Sequence, residues 1–494
     1  MDWLGSLVLQ PGKTATLPPA PGAAQALLAA ALQRRLQRPI LLIVNASRAI
    51  EEWQREWQFF APELPAPLVF PDREVLPYDR LNPPAEISTA RLATLAALPH
   101  WRGLIIAPAS AVLQFLPPPS HLDRHALWLH LGARLPLESF RQRAIDAGYQ
   151  SVSEVSEAGE IAWRGGIIDI FPSGSPLPYR IELFGDEIDS IRAFDVETQR
   201  SLGKVEKVEL LPAREVPTAS EDLQRFRAQF RARFSGDPQQ AEIYRAASRN
   251  SIPAGAEQYL PLFFEACGDI SNYLPKDSIV LEESGLAAAV QQLRQEWQER
   301  YAERSSDRAH PILRPDELLL SEDSWQQRLA AYPILRLSEQ VQGEAQGFLP
   351  PPSLQGNSEN PLLGLERFLQ ELPGGARVVL AAESAGRAEA VGEHLQRLGV
   401  TVQRVRNWSE FSAGPAPLAL AVAPLERGLL HQQRGRIDLA LISEAQIFGD
   451  RVFAQRRGGR ARQRSMENLL RDLGELQPGD VVVHEDYGIG RFLA

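Results

Sequence analysis

The sequence predicts an α/β protein of several domains, which combines parallel sheets with a small inserted antiparallel sheet. Its 494 residues are too many for a single core, so roughly three to four domains are expected. Apolar runs at 40–44 and 104–107 are each followed by a helical pattern, and buried parallel strands read as such continuous runs. A hydrophobic content of 44% and a charged content of 23% are typical of ordinary folded domains.

Composition excludes several classes of function. The net charge of −10 argues against coating of nucleic acid, which needs a clear positive field. The single cysteine, Cys267, rules out an internal disulfide and a cysteine-built metal site. The sequence shows neither a bilayer-length apolar run nor a secretory signal, so we expect a cytoplasmic protein without a membrane partner.

The first half of the chain divides into three predicted segments. Residues 1–117 read as a parallel α/β layer with helices at 47–60 and 110–116. Residues 118–210 read as an inserted antiparallel sheet with one helix near 137–147. Its predicted strands are 165–171, 179–184 and 187–194, separated by the turn signals Pro172–Pro176 and Gly185-Asp186. Residues 211–335 return to helices plus one apolar strand at 278–281.

The second half predicts a further α/β domain between less regular stretches. Residues 336–360 are rich in Gly, Gln and Pro and read as a linker. Residues 361–450 form the α/β domain, with a helix at 385–398 and strands at 377–381, 401–405, 418–422 and 439–442. An arginine-rich connector follows at 451–474. The strand-like end, 475–494, is too short to build a sheet with its own core and is expected to be truncated.

A phosphate-binding loop is the first chemistry to consider. Gly12-Lys13-Thr14 lacks the earlier glycine of that motif and precedes a Leu-Pro-Pro run, which cannot begin a phosphate-facing helix. The better position is Gly22, Ala23, Ala24 and Gln25, just before a helix at 26–36. There Ala24 and Gln25 stand where the motif has lysine and a hydroxyl residue. The phosphates would therefore lack the lysine charge, and magnesium would lack its hydroxyl ligand. Either nucleotide binding has been lost or the helix start is unrelated.

The other candidate sites are interpreted as structural features rather than functional ones. The pair Glu282-Glu283 closes an apolar strand, as a metal-binding pair would, but is expected to be a solvated strand end. His121, His125 and His130 are expected on the surface, without a third ligand at metal spacing. The connector at 451–464 lacks aromatic residues for base stacking and reads as a solvated linker, although nucleic-acid contact stays open. No catalytic residue, metal site or cofactor is predicted.

The inserted sheet carries the most distinctive set of side chains. Arginines, one aromatic residue and acids surround its strands and turns, and such residue types become interface anchors or alternate on a solvated face. They are Arg164, Arg180, Phe184, Asp186 and Glu187.

Ordered blocks along all 494 residues resemble the bacterial transcription-repair coupling factor family, Mfd. The most specific block is 164–201, RGGIIDIFPSGSPLPYRIELFGDEIDSIRAFDVETQRS; the others are 75–79, 91–95, 253–264, 439–451 and 478–492. The resemblance implies a UvrB-like module at 1–335, with a degenerate helicase-like (P-loop NTPase-like) sheet formed by 1–117 and 211–335. It also implies a third domain of obscure role at 361–450. The end would open a Tudor-like, CarD-like domain that contacts the RNA polymerase β subunit.

The resemblance also implies partners. In the family the inserted domain binds UvrA, and the matching positions are Arg164, Arg180 and Phe184, with Asp186 beside them. The ATP- and magnesium-dependent motor, which holds most DNA contacts, would lie beyond Ala494. Polymerase binding by this chain is expected to be weak or absent, because most of the sheet of the CarD-like domain is missing. The rival is UvrB itself, a DNA helicase and ATPase component of excision repair, which carries an intact phosphate loop and a long aromatic hairpin. This chain has no room for that hairpin, because only the short stretch Arg80–Pro84 leads from Tyr78 to the helix near Glu86.

Overall fold

The computed structural model describes residues 9–307, 309–339, 347–356 and 361–448, and the backbone of 481–484 and 488–491. The chain divides into two units, one formed by 1–20 with 25–340 and the other by 21–24 with 341–494. Among the described residues, no helix combines the length and apolar character needed to cross a bilayer.

The first unit mixes strands and helices along its length. Its strands are β1 (Thr14–Thr16), β2 (Ile40–Val44), β3 (Leu68–Val69), β4 (Leu104–Pro108), β5 (Leu127–His130), β6 (Gln150–Ser151), β7 (Glu160–Arg164), β8 (Ile167–Ile170), β9 (Tyr179–Phe184), β10 (Glu187–Phe194), β11 (Ser201–Lys204), β12 (Lys207–Leu210), β13 (Ile279–Glu282) and β14 (Ile334–Arg336). Its helices are α1 (Ala24–Leu36), α2 (Ala49–Phe60), α3 (Ala85–Ala97), α4 (Ala109–Val112), α5 (Pro119–His125), α6 (Leu137–Asp146), α7 (Ser220–Arg233), α8 (Glu242–Ser248), α9 (Leu286–Arg304), α10 (Pro315–Leu318) and α11 (Glu322–Leu329).

The second unit also contains both strands and helices. Its strands are β15 (Gly347–Leu349), β16 (Arg377–Ala382), β17 (Gln403–Val405), β18 (Leu418–Val422), β19 (Leu429–Gln433), β20 (Arg436–Ser443), β21 (Val481–His484) and β22 (Gly488–Arg491). Its helices are α12 (Leu363–Glu371), α13 (Ala385–Arg397), α14 (Trp408–Ala413) and α15 (Glu444–Phe448).

A six-stranded sheet in the order β1-β14-β13-β2-β4-β3 organises the first unit, and every neighbouring pair is parallel. All residues of β2 and β4 are buried, which explains why both read as unbroken apolar runs. Helix α2 packs through Ile50, Trp53, Trp57 and Phe60, whose spacing places them on one face. This arrangement confirms the predicted parallel α/β layer.

The predicted helix at 110–116 is wrong beyond its first turn. Helix α4 ends at Val112, and two isolated β-bridges follow it. Gln114 forms an isolated bridge with Leu319, and Leu116 forms another with Gly268. These long-range pairings satisfy the backbone groups that a longer helix would have used.

The inserted region forms a six-stranded sheet in the order β11-β10-β9-β8-β7-β6, beside a two-stranded ribbon of β12 and β5. The sheet is antiparallel, as predicted, except that β6 and β7 run parallel. Strands β9 and β10 have the predicted bounds. Helix α6 supplies Phe140 and Ala144 to the core beneath the sheet, together with Ile168, Ile181 and Ile191.

The second unit contains a mixed sheet in the order β15-β19-β20-β16-β18-β17. Strands β20, β16, β18 and β17 are parallel, while β19 and β15 complete one edge in antiparallel pairing. Strand β15 lies inside the stretch that the sequence assigns to a linker. It pairs with β19 and buries Phe348, so tertiary pairing fixes a segment whose composition indicates none.

Two predicted features fall wholly or partly outside the described residues. The arginine-rich connector at 451–474 lies outside them. Of the final stretch, the backbone of β21 and β22 is described and pairs as an antiparallel hairpin. The remaining domain boundaries stay predictions.

Candidate partner-binding site

Two hairpin turns lie side by side at one end of the inserted sheet. Gly165 and Gly166 join β7 to β8, and Gly185 with Asp186 joins β9 to β10. Gly165 and Gly185 have φ values of +63° and +62°, a backbone region that favours glycine. The backbone N–H of Leu183 donates to the carbonyl oxygen of Gly166 at 2.8 Å, so the two turns form one edge. We call this edge, residues 164–167 and 184–187, the hairpin edge.

Phe184 is the most prominent side chain of the hairpin edge. It is 84% exposed, the highest value among the exposed large hydrophobic residues of the described chain. Aromatic side chains of this size usually bury most of their surface, and an exposed one at a rigid turn can fill a pocket on a partner.

Arg164 lies on the same edge with much of its side chain in solvent. One guanidinium nitrogen, Nη2, donates to the carbonyl oxygen of Ser153 at 3.0 Å and lies 4.0 Å from a carboxylate oxygen of Glu154. The side chain is 51% exposed. Its fork of N–H donors is therefore accessible to a carboxylate on another protein.

Asp186 is exposed in the second turn, which a neighbouring loop supports. The carbonyl oxygen of Asp186 accepts a hydrogen bond from the N–H of Leu135 at 2.6 Å. Gly132 N–H donates to the carbonyl oxygen of Ile188 at 2.9 Å. The backbone of the turn is fixed while its carboxylate faces solvent.

Arg180 is placed differently from the other predicted residues. Its guanidinium donates to both carboxylate oxygens of Asp169, at 2.7 and 2.9 Å. The structure thus groups Arg164, Phe184 and Asp186 on the hairpin edge, while Arg180 lies four residues back along β9 within an internal ion pair. Its role in binding stays a prediction.

Sequence reasoning missed two residues of this region. Ile167 is 36% exposed and pairs in register with Arg164 on β7 and Glu182 on β9. Asp169 is buried, and the signal that could have found it is a lone acid inside the apolar run Ile167–Ile170.

The proposed remnant of a phosphate loop lies between β1 and α1. Gly22 has a φ of +64°, and helix α1 begins at Ala24. Ala23 and Ala24 have no exposed surface, and Gln25 is 1% exposed. The Gln25 amide nitrogen donates to a carboxylate oxygen of Glu339 at 2.7 Å.

The acids at the end of β13 also bind within the chain. Glu282 accepts from Nε of Arg336 at 2.6 Å and is 9% exposed, so the expected solvated strand end is wrong for this residue. Glu283 accepts from the backbone N–H of Asn45 at 2.7 Å and from Nε1 of Trp53 at 2.9 Å. No cluster of three or more His, Cys, Asp or Glu residues suited to a metal ion occurs in the described part of the chain.

The expectation of surface histidines is wrong for two of the three. His121 and His125 are 5% and 9% exposed, and their ring centroids lie 5.0 Å apart on α5. A ring nitrogen of His121, Nε2, lies 3.2 Å from the carbonyl oxygen of Arg214. Only His130 is exposed, because it alternates outward on β5 while Leu129 packs inward.

Two family models match parts of the chain. Residues 127–216 match the UvrB interaction domain, and residues 368–447 match the MFD D3 domain. The first match contains the whole hairpin edge and Asp169. The chain therefore carries a UvrB interaction domain and an MFD D3 domain.

Three relatives cover most of the chain. It is 36% identical over 496 residues to the Transcription-repair-coupling factor of Escherichia coli (strain K12), covering 99% of this chain and 42% of that protein. The corresponding factor of Haemophilus influenzae is 34% identical over 435 residues, covering 86% and 37%. That of Myxococcus xanthus is 28% identical over 517 residues, covering 95% and 42%. The chain corresponds to the N-terminal part of a transcription-repair coupling factor and spans about 42% of such a protein's length.

Proposed function

We propose that this chain recruits UvrA during transcription-coupled nucleotide excision repair, and that the hairpin edge makes the contact. The observation that carries the proposal is the exposed Phe184 beside the accessible Arg164, inside a region that matches the UvrB interaction domain. The aromatic ring would fill a pocket on UvrA, and the arginine fork would pair with an acid there. Asp186, exposed in the adjoining turn, would face a donor group.

UvrA retention on the immobilised chain, measured without nucleotide, tests this proposal. Replacing Phe184 with Ala should weaken binding by about 30-fold, because truncating a central aromatic anchor costs about 2 kcal/mol or more. Arg164→Ala should weaken it less. Trp128→Ala is the matched control, since Trp128 is also an exposed aromatic residue, at 59%, but lies on the two-stranded ribbon. Equal retention of UvrA by all three variants and the parent chain would count against the proposal.

We further propose that the first unit no longer binds nucleotide, although its sheet is of the helicase-like (P-loop NTPase-like) kind. Support for the fold is the parallel sheet with a loop between β1 and α1 where a phosphate loop would lie. Support for lost binding is that Ala24 and Gln25 replace the phosphate-binding residues, and that Gln25, Glu282 and Glu283 all bond within the chain. The alternative is a UvrB-like ATPase, which requires nucleotide at this loop.

The whole protein's activity follows as a proposal from the family. Such a factor would recognise RNA polymerase stalled at a DNA lesion and release it with an ATP-driven motor. The paired backbone of β21 and β22 supports the start of a Tudor-like sheet that would face the polymerase β subunit.

A further inference from the structure

One ion pair with a buried carboxylate links two neighbouring strands of the inserted sheet. Asp169 on β8 and Arg180 on β9 are register partners, so their side chains leave the sheet on the same face. Asp169 is 2% exposed, and its two oxygens accept from Nε and Nη2 of Arg180 at 2.7 and 2.9 Å. A fork of this kind fixes the direction of both groups as well as their separation.

The other sides of the Arg180 guanidinium also face groups of the chain. Its central carbon lies 4.9 Å from the centroid of the Phe194 ring. Nη1 lies 3.5 Å from the carbonyl oxygen of Gln199, and Nη2 lies 3.5 Å from the Gln199 side-chain oxygen. The Arg180 side chain is 21% exposed, compared with 51% for Arg164. Little of this guanidinium is left for an acid on a partner.

The two strands joined by the pair carry the hairpin edge. Strand β8 begins at Ile167, directly after the first turn, and β9 ends at Phe184, directly before the second. A slip of one residue between neighbouring strands would turn every side chain to the opposite face. The ion pair between Asp169 and Arg180 opposes such a slip, because its geometry exists in one register only.

We propose that Asp169 is a positioning residue for UvrA binding, and that Arg180 acts on the interface through Asp169 rather than by direct contact with UvrA. This inference rests on the proposed function of the hairpin edge. The pair holds β8 and β9 in register, so that Arg164, Ile167 and Phe184 stay together on one face.

A double-mutant cycle on the full 494-residue chain tests the proposal through the dissociation constant for purified UvrA. Asp169→Asn keeps the shape of the side chain but removes its charge. We expect it to weaken binding by about tenfold or more, about as much as Arg180→Ala, with little further loss in the double variant. An affinity unchanged by Asp169→Asn, or a full additional loss on adding Arg180→Ala, overturns the proposal.

The salt dependence of the same dissociation constant distinguishes direct contact from positioning. Replacing a residue that only positions others should leave this dependence unchanged. A charge that pairs across the interface makes binding weaken as salt rises. Arg164→Ala should therefore flatten this dependence, whereas Arg180→Ala should leave its slope unchanged while lowering the affinity. A slope that flattens with Arg180→Ala overturns the proposal by showing direct contact.

Two controls distinguish a loss of positioning from a loss of folding and from a failure of the proposed function. Urea unfolding of each variant gives its folded fraction, and an affinity that falls only in proportion to that fraction overturns the proposal. Arg180→Lys keeps the charge without the fork and should also weaken binding. If Phe184→Ala and Arg164→Ala bind UvrA like the parent chain, the proposed function itself fails. If both weaken binding and Asp169→Asn does not, the positioning role alone fails.

Discussion

At the scale of single residues, Glu215 joins two arginines inside the first unit. A carboxylate oxygen of Glu215 lies 2.5 Å from Nη2 of Arg73, and the other accepts from Nε of Arg91, which has no exposed surface. Burial alone would raise the pKa of the Glu215 carboxyl, but the charges and hydrogen bonds of the two arginines lower the pKa to about 2. The carboxylate is therefore charged at neutral pH and compensates both guanidinium groups.

Replacing Glu215 with Gln should destabilise the first unit strongly. Arg91, which is fully buried, and Arg73, whose side chain is 12% exposed, would lose their counter-charge, which costs about 3–5 kcal/mol of unfolding free energy. Urea unfolding at pH 7.5 measures this loss. Glu206→Gln is the control, because Glu206 is exposed and its replacement should change the free energy by less than about 0.5 kcal/mol. Similar losses in the two variants would contradict the role assigned to Glu215.

His121 predicts a dependence of stability on pH. Burial, assisted by the neighbouring His125, lowers the pKa of His121 to about 4, against about 6.5 for an unfolded chain. Below pH 6.5 the unfolded state therefore binds more protons than the folded state, and stability falls as the pH drops towards 4. The full effect of the shift is about 3 kcal/mol, of which about 1 kcal/mol should be lost between pH 7.5 and 5.5.

The measurement compares urea unfolding of the parent chain and His121→Phe at these two pH values. The variant should lose less stability on acidification, since the phenyl ring cannot bind a proton. Trp128→Phe serves as the control, because Trp128 is exposed on β5 and carries no ionisable group, so its replacement should leave the difference between the two pH values unchanged. A variant of His121 that remains as sensitive to acid as the parent would contradict the assignment.

At the scale of elements, two turns of the inserted sheet use glycine for different reasons. Gly174 and Gly185 both have left-handed φ values, +76° and +62°. A Cβ on Gly174 would overlap the Cβ of Ala93 on α3, whereas one on Gly185 would meet nothing within 4 Å. The turn at Gly174 is pressed against a helix, and the turn at Gly185 is open.

The substitution Gly174→Ala should therefore cost more than Gly185→Ala. Both alanines would be strained by about 1 kcal/mol in a left-handed conformation. Gly174→Ala should add about 1–3 kcal/mol for the overlap with Ala93. Urea unfolding of the two variants gives the difference directly, and equal costs would show that the 172–176 turn moves away from α3 without loss.

Elements with a strong local pattern could be predicted from the sequence, and those fixed by distant pairing could not. Strands β2, β9 and β10 have the predicted bounds, because continuous or alternating apolar residues specify them locally. Strands β1, β14 and β15 are three residues long and were missed, since their neighbours in the sheet define them.

The same distinction applies to the candidate site. Gly185 with Asp186 marks a turn in the sequence, and the turn leaves Phe184 exposed beside it. The ion pair of Arg180 depends on Asp169, which lies eleven residues away and meets it only through the register of β8 and β9. Composition alone cannot distinguish an arginine that faces a partner from one that binds within its own sheet.

At the scale of the whole molecule, the two recognised domains lie in different units. The UvrB interaction domain match falls in the first unit and the MFD D3 match in the second. The hairpin edge, its supporting loop and the Asp169–Arg180 pair all belong to the inserted domain of the first unit. If the hairpin edge binds UvrA as proposed, that contact lies in the first unit.

Thermal unfolding with Mg·ATP tests whether nucleotide binds at the parallel sheet. A ligand present at 100 times its dissociation constant stabilises the folded state by about 2.7 kcal/mol, which raises the unfolding temperature measurably. We expect no shift for this chain at millimolar Mg·ATP, because Ala24 offers no ammonium group and Gln25 is bonded to Glu339. UvrB, with an intact phosphate loop, is the positive control. A shift in this chain that matches the control, and that disappears with Gln25→Ala, would favour the ATPase alternative over the docking role.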